Sequence, residues 1–386
     1  MIAPYRPSWL THELQMLQDA ARRFFVERFA PREEHWTKSM LIDREAWNEA
    51  GEMGLLCASI PEEYGGGGGT LAHDIVIFSE QARALIGSFG NTVHSGIVAN
   101  YVLRYGSEAQ KRRWLPAMAR GEMVGAIAMS EPGAGSDLQA IRTRADRRGD
   151  AYLLNGAKTF ITNGYHADLI LLVAKTDVHA PGSRGTSIIV VETRGLAGFR
   201  RGKLLEKLGN KGSDTAELFF DDAAVPVDNL LGTEEGRGFA QLMAQLPTER
   251  LYIAANAVAH METAVALAKD YVCQRQVFGK RLSELQNTRF KLAECQTRVR
   301  HARVFVDYCI TRALANELVS EEAAMAKYWA TQQCNEVVDE CLQLHGGNGL
   351  MMEFPIARLY ANARIGPIYG GSNEIMKEII ARGVLR

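Results

Sequence analysis

The chain has 386 residues, of which 47% are hydrophobic and 23% charged, with a formal net charge of -1. That length suits two or three packed units with sizeable cores, and the composition is far from the disordered or collagen-like extremes. The near-zero charge excludes strong global attraction to nucleic acid or anionic membrane, so a small acidic ligand must be met by a local cluster.

Six cysteines (Cys57, Cys273, Cys295, Cys309, Cys334 and Cys341) stand singly, without the paired spacing that zinc needs. They are expected to be buried, reduced thiols, with no metal site. The first residues, Met1 to Pro7, carry prolines where a secretory segment needs an apolar run, and they lack the Arg/Ser pattern of a transit peptide. No stretch approaches the eighteen or so uninterrupted apolar residues of a membrane span. The expectation is a soluble cytosolic protein, or an organellar one whose presequence has been removed.

From Thr11 onward the pattern is helical, with Leu14, Leu17, Ala20, Ala21, Phe24 and Phe25 at three- and four-residue steps. Further helices are predicted over 44–53, 72–85, 93–105 and 108–120. Between two of them lie five consecutive glycines at 65–69, with no Gly-Lys-Ser/Thr after them and no strand before, which reads as a flexible connector. Over 124–231 the texture turns to short β-rich runs: 151–154 leading into an Asn155-Gly156 turn, then 169–174, 187–191 and 216–220. Strands without intervening helices predict an antiparallel sandwich or barrel. Gly133-Ala134-Gly135-Ser136-Asp137-Leu138 lacks the third glycine of a dinucleotide fingerprint. Over 236–381 the chain is helical again. Leu242, Leu246, Ile253 and Ala257 form one stripe, and Phe290, Leu292, Val299, Val304, Phe305 and Tyr308 another on a long helix after a turn at 282–286. The fold class is therefore α+β: a helical unit over 1–123, a middle antiparallel β unit over 124–235, and a helical bundle over 236–386.

Glu249 falls in the middle of the first C-terminal stripe, where most glutamates are not found. A carboxylate there loses hydration, its pKa rises, and it becomes a base suited to a weakly acidic carbon. The bland alternative is a structural ion pair with Arg250 or another cation. Pro247, close by, is expected to perturb the helix and help orient the side chain. Other segments are ambiguous alone. Gly133 and Gly135 with Ser130 and Ser136 form either an ordinary turn or a loop that lets backbone amides and hydroxyls meet a ligand. Phe160 and Thr162 share one strand face, as an aromatic wall with a hydroxyl or as a half-buried strand end. Arg275 by itself reads as a solvated helix charge, and His345 as a packing or hydrogen-bonding residue.

Five blocks taken together resemble the acyl-CoA dehydrogenase family, in family order from residue 124 onward: Ala128 to Asp137, Gly156 to Gly164, Arg275 to Lys280, Gln343 to Gly349, and the segment at Tyr369. Leu246 to Leu251, Ala326 to Ala330 and Tyr369 to Glu378 look like the long-chain branch. The resemblance implies helices, a small β domain and a helical bundle, with FAD as cofactor. It places Ile127, Met129, Ser130, Gly135, Ser136, Phe160, Ile161 and Thr162 around the flavin, with Ser130 at the ring edge, Ser136 between cofactor and substrate, and Thr162 at N5. Arg275, Phe278, Gln286, Gln343, Gly346 and Gly347 look like the residues with which a neighbouring subunit holds the far end of FAD. Ser372, Asn373 and Glu374 sit where the family touches the cofactor again.

One departure matters most. Most members keep a catalytic glutamate in a Tyr-Glu-Gly-Thr context, but here the matching residue is Gly370. The run Leu246-Pro247-Thr248-Glu249-Arg250 resembles the helix on which the long-chain and isovaleryl branches carry the base. The resemblance thus implies Glu249 as base and the Gly370 amide as the group that polarises the thioester carbonyl. Arg250, Tyr252, Tyr369, Gly370 and Ser136 are the expected substrate contacts. Losing the side chain at 370 is expected to leave room for a bulkier or α-branched acyl chain. The implied reaction is formation of a trans-2-enoyl-CoA from a long-chain or branched acyl-CoA, with electrons leaving through an electron-transfer flavoprotein, in a homotetramer built as a dimer of dimers. The rivals are an acyl-CoA oxidase that uses oxygen and a degenerate FAD- or CoA-binding scaffold.

Overall fold

Thr11 starts the first helix by accepting the Leu14 amide on its side chain at 3.3 Å, which satisfies one of the free N–H groups of the first turn. The computed structural model describes residues 5–181 and 183–385, so residues 1–4, on which part of the N-terminal reading rests, lie outside the described residues. Helix α1 (His12–Phe24) runs into a π-helical turn at Phe25–Phe29, followed by α2 (Glu33–Ser39), α3 (Glu45–Glu52) and α4 (Leu71–Arg83). The next helix is π-helical over Thr92–Ala99 and continues as α5 (Asn100–Tyr105), and α6 (Glu108–Ala119) follows.

The middle of the chain forms β1 (Gly125–Ala128), β2 (Arg144–Arg148), β3 (Ala151–Thr162), β4 (Leu169–Lys175), β5 (Thr186–Glu192), β6 (Phe199–Leu204) and β7 (Thr215–Pro226). The remainder is α7 (Gly238–Gln274), a small hairpin of β8 (Gln276–Val277) and β9 (Lys280–Arg281), then α8 (Gln286–Leu314), α9 (Ser320–His345), α10 (Pro355–Ala363) and α11 (Asn373–Val384).

The sheet order is β1-β4-β2-β3-β7-β6, with β5 on β4. Most neighbours are antiparallel, but β1 and β2 run parallel to β4, so the sheet is mixed. Long connections between those strands permit the parallel pairing, which a tight hairpin would forbid. The Asn155-Gly156 turn does not exist: both residues lie inside β3 at a register shift. Asn155 pairs with Asp222 on β7, and a Cβ at Gly156 would come 2.5 Å from the Thr143 hydroxyl. The glycine serves a close approach, and the reversal between β2 and β3 falls at Gly149, where φ is +61.

The glycine run is no flexible connector. The amides of Gly65 to Gly69 donate in turn to Glu62, Pro61, Cys57, Ile60 and Ala58, and a Cβ at Gly66 would lie 2.2 Å from the Ile60 carbonyl. Of the six thiols, Cys273 is exposed and the others are buried.

One apolar cluster joins Phe25, Phe29 and Trp36 to Tyr252, Val299 and Val337, so the N- and C-terminal helices share a core. A second packs Tyr101 and Trp114 against Leu169 and Val190 of the sheet. Helix α7 is long and apolar enough to cross a membrane by length and composition, yet it packs against α4, α8, α9 and α10. On α8 the buried face is Cys295, Val299, Ala302, Val306 and Cys309, while Phe290, Val304 and Tyr308 are exposed. Of the predicted stripe, Val299 is buried and Leu292 and Phe305 pack half-buried against the core, while the small Cys295, Ala302 and Cys309, which carry little hydrophobic signal, fill out the buried face.

Candidate active site

Helix α7 positions the site. Pro247 lies inside it without ending it, removing only the N–H that would serve the Met243 carbonyl. Two residues later the Glu249 side chain is buried against α5, where the Tyr101 hydroxyl donates to its Oε1 at 2.9 Å. Burial pushes the Glu249 carboxyl up to about 7, against the opposing pull of that hydrogen bond and of the Arg250 charge. No ion pair joins Glu249 to Arg250 among the described residues. Arg250 is itself buried, reaches Ser320 Oγ at 3.4 Å, and leaves its Nε without a partner.

Glu249 lines a cavity of about 640 Å³ between α4, the π-helical segment with α5, and α7. Leu71, Ile97, Leu103, Ala244, Pro247, Ala313 and Leu318 supply an apolar wall, and Asn100, Arg104, Gln245 and Asn316 its polar parts. Tyr252 presents its ring to this cavity, while its hydroxyl is turned away to Asp74 Oδ2 at 3.3 Å.

Gly370 abuts the same helix one turn further along. Its φ is +64 and that of Gly371 is +88, so the turn uses a conformation that side chains rarely adopt. A Cβ at Gly370 would lie 2.4 Å from Ile253 Cδ1. The room expected from the missing side chain is therefore already filled by Ile253, and that expectation is corrected. Among the described residues, the Gly370 amide donates to no protein acceptor, which leaves it available to a ligand. Tyr369 is 42% exposed beside it.

A second group lies at the end of β3. Phe160 is 70% exposed and has φ of +59, a strained conformation for an aromatic residue. Thr162, half-buried, is two residues on. The Ser130 loop is clamped beneath them: Thr159 donates to the Ser130 carbonyl at 3.0 Å, and Lys158 Nζ reaches the Met129 carbonyl at 3.0 Å and Glu131 Oε1 at 2.8 Å. Burial lowers the Lys158 ammonium to about 8 against the pull of Glu131. Gly135 and Ser136 are exposed on this loop, and a Cβ at Gly133 or Gly135 would meet nothing within 4 Å. No approach inside the chain requires those glycines, so their small size is left for a ligand. Ile127 and Ile161 are buried in the core, which leaves only their backbone for a cofactor.

The third group is remote. Arg275, Phe278, Gln286 and Gln343 are exposed around the hairpin at the far end of α7, with Phe278 95% exposed. A Cβ at Gly346 or Gly347 would again meet nothing within 4 Å. Roughly 40 Å of helix separates Arg275 from Glu249, so one chain does not bring the two groups to one place. His345 packs: it stacks on Tyr271 at 4.3 Å and its Nδ1 lies 2.7 Å from the Cys341 carbonyl. At the start of α11, Ser372 Oγ caps the helix by accepting from Ile375, and Glu374 is exposed. Asn373 is turned inward, its side-chain oxygen taken by Lys327 at 3.0 Å and Thr331 at 3.2 Å and its backbone N–H donating to the Pro367 carbonyl at 2.9 Å, so this residue is held by the protein itself.

A buried carboxylate with a pKa near neutrality, an unclaimed amide in a glycine turn, an exposed strained aromatic and two open glycine loops fit a flavin dehydrogenase of thioesters. Tyr101, Ile253, Lys158 and Lys327 were not singled out from sequence for roles here. Lys158 and Lys327 lay inside recognised blocks, whereas Tyr101 and Ile253 carried no local signal beyond their apolar periodicity.

Comparison with known proteins agrees. Residues 11–122, 126–223 and 236–385 match the N-terminal, middle and C-terminal domains of acyl-CoA dehydrogenase. The long-chain specific acyl-CoA dehydrogenase of rat mitochondria is 46% identical over 374 residues, 97% of this chain and 86% of that protein. The acyl-CoA dehydrogenase of Geobacillus kaustophilus superposes with a TM-score of 0.96 at 46% identity, covering 98% of this chain and 100% of that one. A glutaryl-CoA dehydrogenase from Mycobacterium smegmatis in complex with FADH2 superposes with a TM-score of 0.91 at 27% identity, covering 97% and 95%. The chain belongs to the acyl-CoA dehydrogenase family, and as such it is an FAD-dependent oxidoreductase that dehydrogenates an acyl-CoA.

Proposed function

We propose that the protein converts a long-chain acyl-CoA into the trans-2-enoyl-CoA with Glu249 as base. The observation that carries this is the buried Glu249 carboxyl, raised to about 7 and held by Tyr101, one helical turn from the Ile253 side chain that packs on Gly370, where no side chain stands. The α-proton goes to a Glu249 carboxylate oxygen as the carbon–carbon double bond forms. The Gly370 amide donates to the thioester oxygen and stabilises the negative charge that gathers there. When bound, FAD supplies the acceptor for the β-hydride.

The residues of this chain do the rest. Phe160 walls the ring and Thr162 donates toward it, while Ser130, Ser136 and the backbone of Met129 and Gly135 border the other edge. Tyr369, Arg250 and the Tyr252 ring border the acyl and thioester groups. The cavity along α7, with its apolar wall beside the buried Glu249 carboxyl, accommodates the chain. The far group around Arg275, Phe278, Gln286, Gln343, Gly346 and Gly347 completes the FAD site of a neighbouring subunit, in a homotetramer made of two dimers. That distance along α7 supports the assignment, since a cofactor reaching both groups has to cross between chains. Electrons leave through an electron-transfer flavoprotein.

A panel of straight and branched acyl-CoAs, run on the wild type and on Glu249→Gln, tests this reading. The variant should retain FAD and lose turnover with every substrate. Near-normal turnover in it would refute the base.

A further inference from the structure

We propose that Lys327 is a positioning residue for the thioester-polarising turn: its buried ammonium ties the Gly370-Gly371 turn to α9 and places a positive charge on the Gly371 carbonyl, next to the residue whose amide meets the substrate carbonyl. The proposal rests on the reading of Gly370 given above.

The geometry is specific. Lys327 is fully buried on α9, and its Nζ donates to the Gly371 carbonyl at 2.7 Å and to Asn373 Oδ1 at 3.0 Å. One helical turn on, Thr331 donates to the same Asn373 oxygen at 3.2 Å, and the Asn373 amide donates back to the Tyr328 carbonyl at 3.4 Å. A single stretch of α9 thus grips the turn from one side while Ile253 presses on it from the other. Glycines at both turn positions give it no side chains with which to hold itself.

A glutamine could make the same hydrogen bond without the charge. Instead the position carries a cation with no carboxylate ion-paired to it among the described residues, and the other charges that act on it are Arg250 and the exposed Glu374. Burial and the Arg250 charge push the ammonium down to about 8, so it remains protonated at neutral pH. Keeping an unpaired ammonium beside a second buried cation opposes folding. The compensating use is electrostatic. As the α-proton leaves, negative charge gathers on the thioester oxygen at the Gly370 amide, and a fixed cation in a dry site stabilises it without having to reorganise.

The test uses the full-length, FAD-loaded protein as wild type, Lys327→Met, Lys327→Gln and Lys327→Arg. The probe is a 3-oxoacyl-CoA, whose α-proton is acidic enough to ionise without hydride transfer. Its enolate reports through a long-wavelength charge-transfer band with oxidised flavin. In Lys327→Met the pH midpoint of that band should rise by about one unit, a tenfold weaker stabilisation of the enolate. Turnover with acyl-CoA should fall on the order of tenfold to a hundredfold, less than loss of a direct oxyanion donor, with KM held within about threefold. Lys327→Arg should restore most of the midpoint. Lys327→Gln keeps a donor for Gly371 but no charge, and a wild-type midpoint in it would overturn the electrostatic role even if Lys327→Met fails to fold. A wild-type midpoint and turnover in Lys327→Met would overturn the whole proposal. The band reports an equilibrium and forms whichever group removes the proton, so a failed Glu249 assignment leaves this result readable.

Discussion

The Tyr101 hydroxyl donates to Glu249 Oε1 at 2.9 Å across 148 residues of sequence, and both side chains are buried. This contact favours the ionised carboxylate, while burial favours the neutral acid and is the larger influence. A base must be ionised to act, so kcat/KM should fall as pH drops through about 7. Tyr101→Phe removes the contact and should move that acid limb to higher pH, by about one unit. An unmoved limb in the pH profile would show that Tyr101 does not tune the base.

Glu249→Gln should separate catalysis from stability. Turnover should fall on the order of 10³ to 10⁴, as for loss of a general base. The folded pKa of Glu249 is raised from 4.5 to about 7, so its favourable contribution is complete below 4.5 and is lost as pH rises through about 7. The neutral glutamine escapes that loss. Its melting temperature should exceed the wild type's above pH 7, by at most about 3 kcal/mol of stability, and match it below about pH 4. Equal melting curves at alkaline pH would contradict a desolvated carboxylate.

Ile253 and Gly370 should be coupled. Gly370→Ala places a methyl group 2.4 Å from Ile253 Cδ1 at a φ of +64, so it should lose both stability and turnover. Adding Ile253→Ala should return part of that loss, with an interaction energy of about 1 kcal/mol or more in a double-mutant cycle. Ile253→Ala alone should raise kcat/KM for 2-methyl-branched acyl-CoA relative to the straight chain. Strict additivity, with no change in branching preference, would show that the two residues act separately.

Lys158 should matter to the flavin loop beyond its ion pair. Lys158→Met leaves Glu131 buried without its cation, at a cost of about 3–5 kcal/mol, and frees the Met129 carbonyl. Weaker FAD retention at temperatures where the apoprotein is still folded is the expected outcome, measured by fluorescence of released flavin. Normal retention would place the pair in the core alone.

Arg275→Ala and Glu249→Gln subunits should complement each other. Each homo-oligomer should be inactive, the first for lack of bound FAD and the second for lack of a base. On the proposed assembly, a mixed dimer should restore one site that takes Glu249 from one chain and Arg275 from the other. Activity regained on co-refolding supports the shared site, and none at any mixing ratio would place both groups in separate roles.

Local chemistry sufficed for much of this protein. The apolar periodicity placed the major helices within a few residues, because a buried stripe repeats with the turn of the helix itself. The carboxylate at 249 was conspicuous for interrupting such a stripe, and the glycine at 370 for its want of a titratable group. Where a residue type admits two uses, local signals misled. Gly156 is kept small by the approach of Thr143 and marks no turn, the five-glycine run is held by carbonyls of its own loop, and small residues share the buried face of α8 with Val299, Val306 and Ile310. What lay across the fold was not legible at all. Tyr101 meets Glu249, Ile253 fills the space above Gly370, and Lys327 grips Gly371 through contacts that no spacing encodes. The order of residues decides which groups are available and which helix face is apolar, since those depend on neighbours along the chain. Which of them touch, how far a carboxyl is desolvated, and how much room a glycine leaves depend on packing between distant segments, and only the tertiary structure decides them.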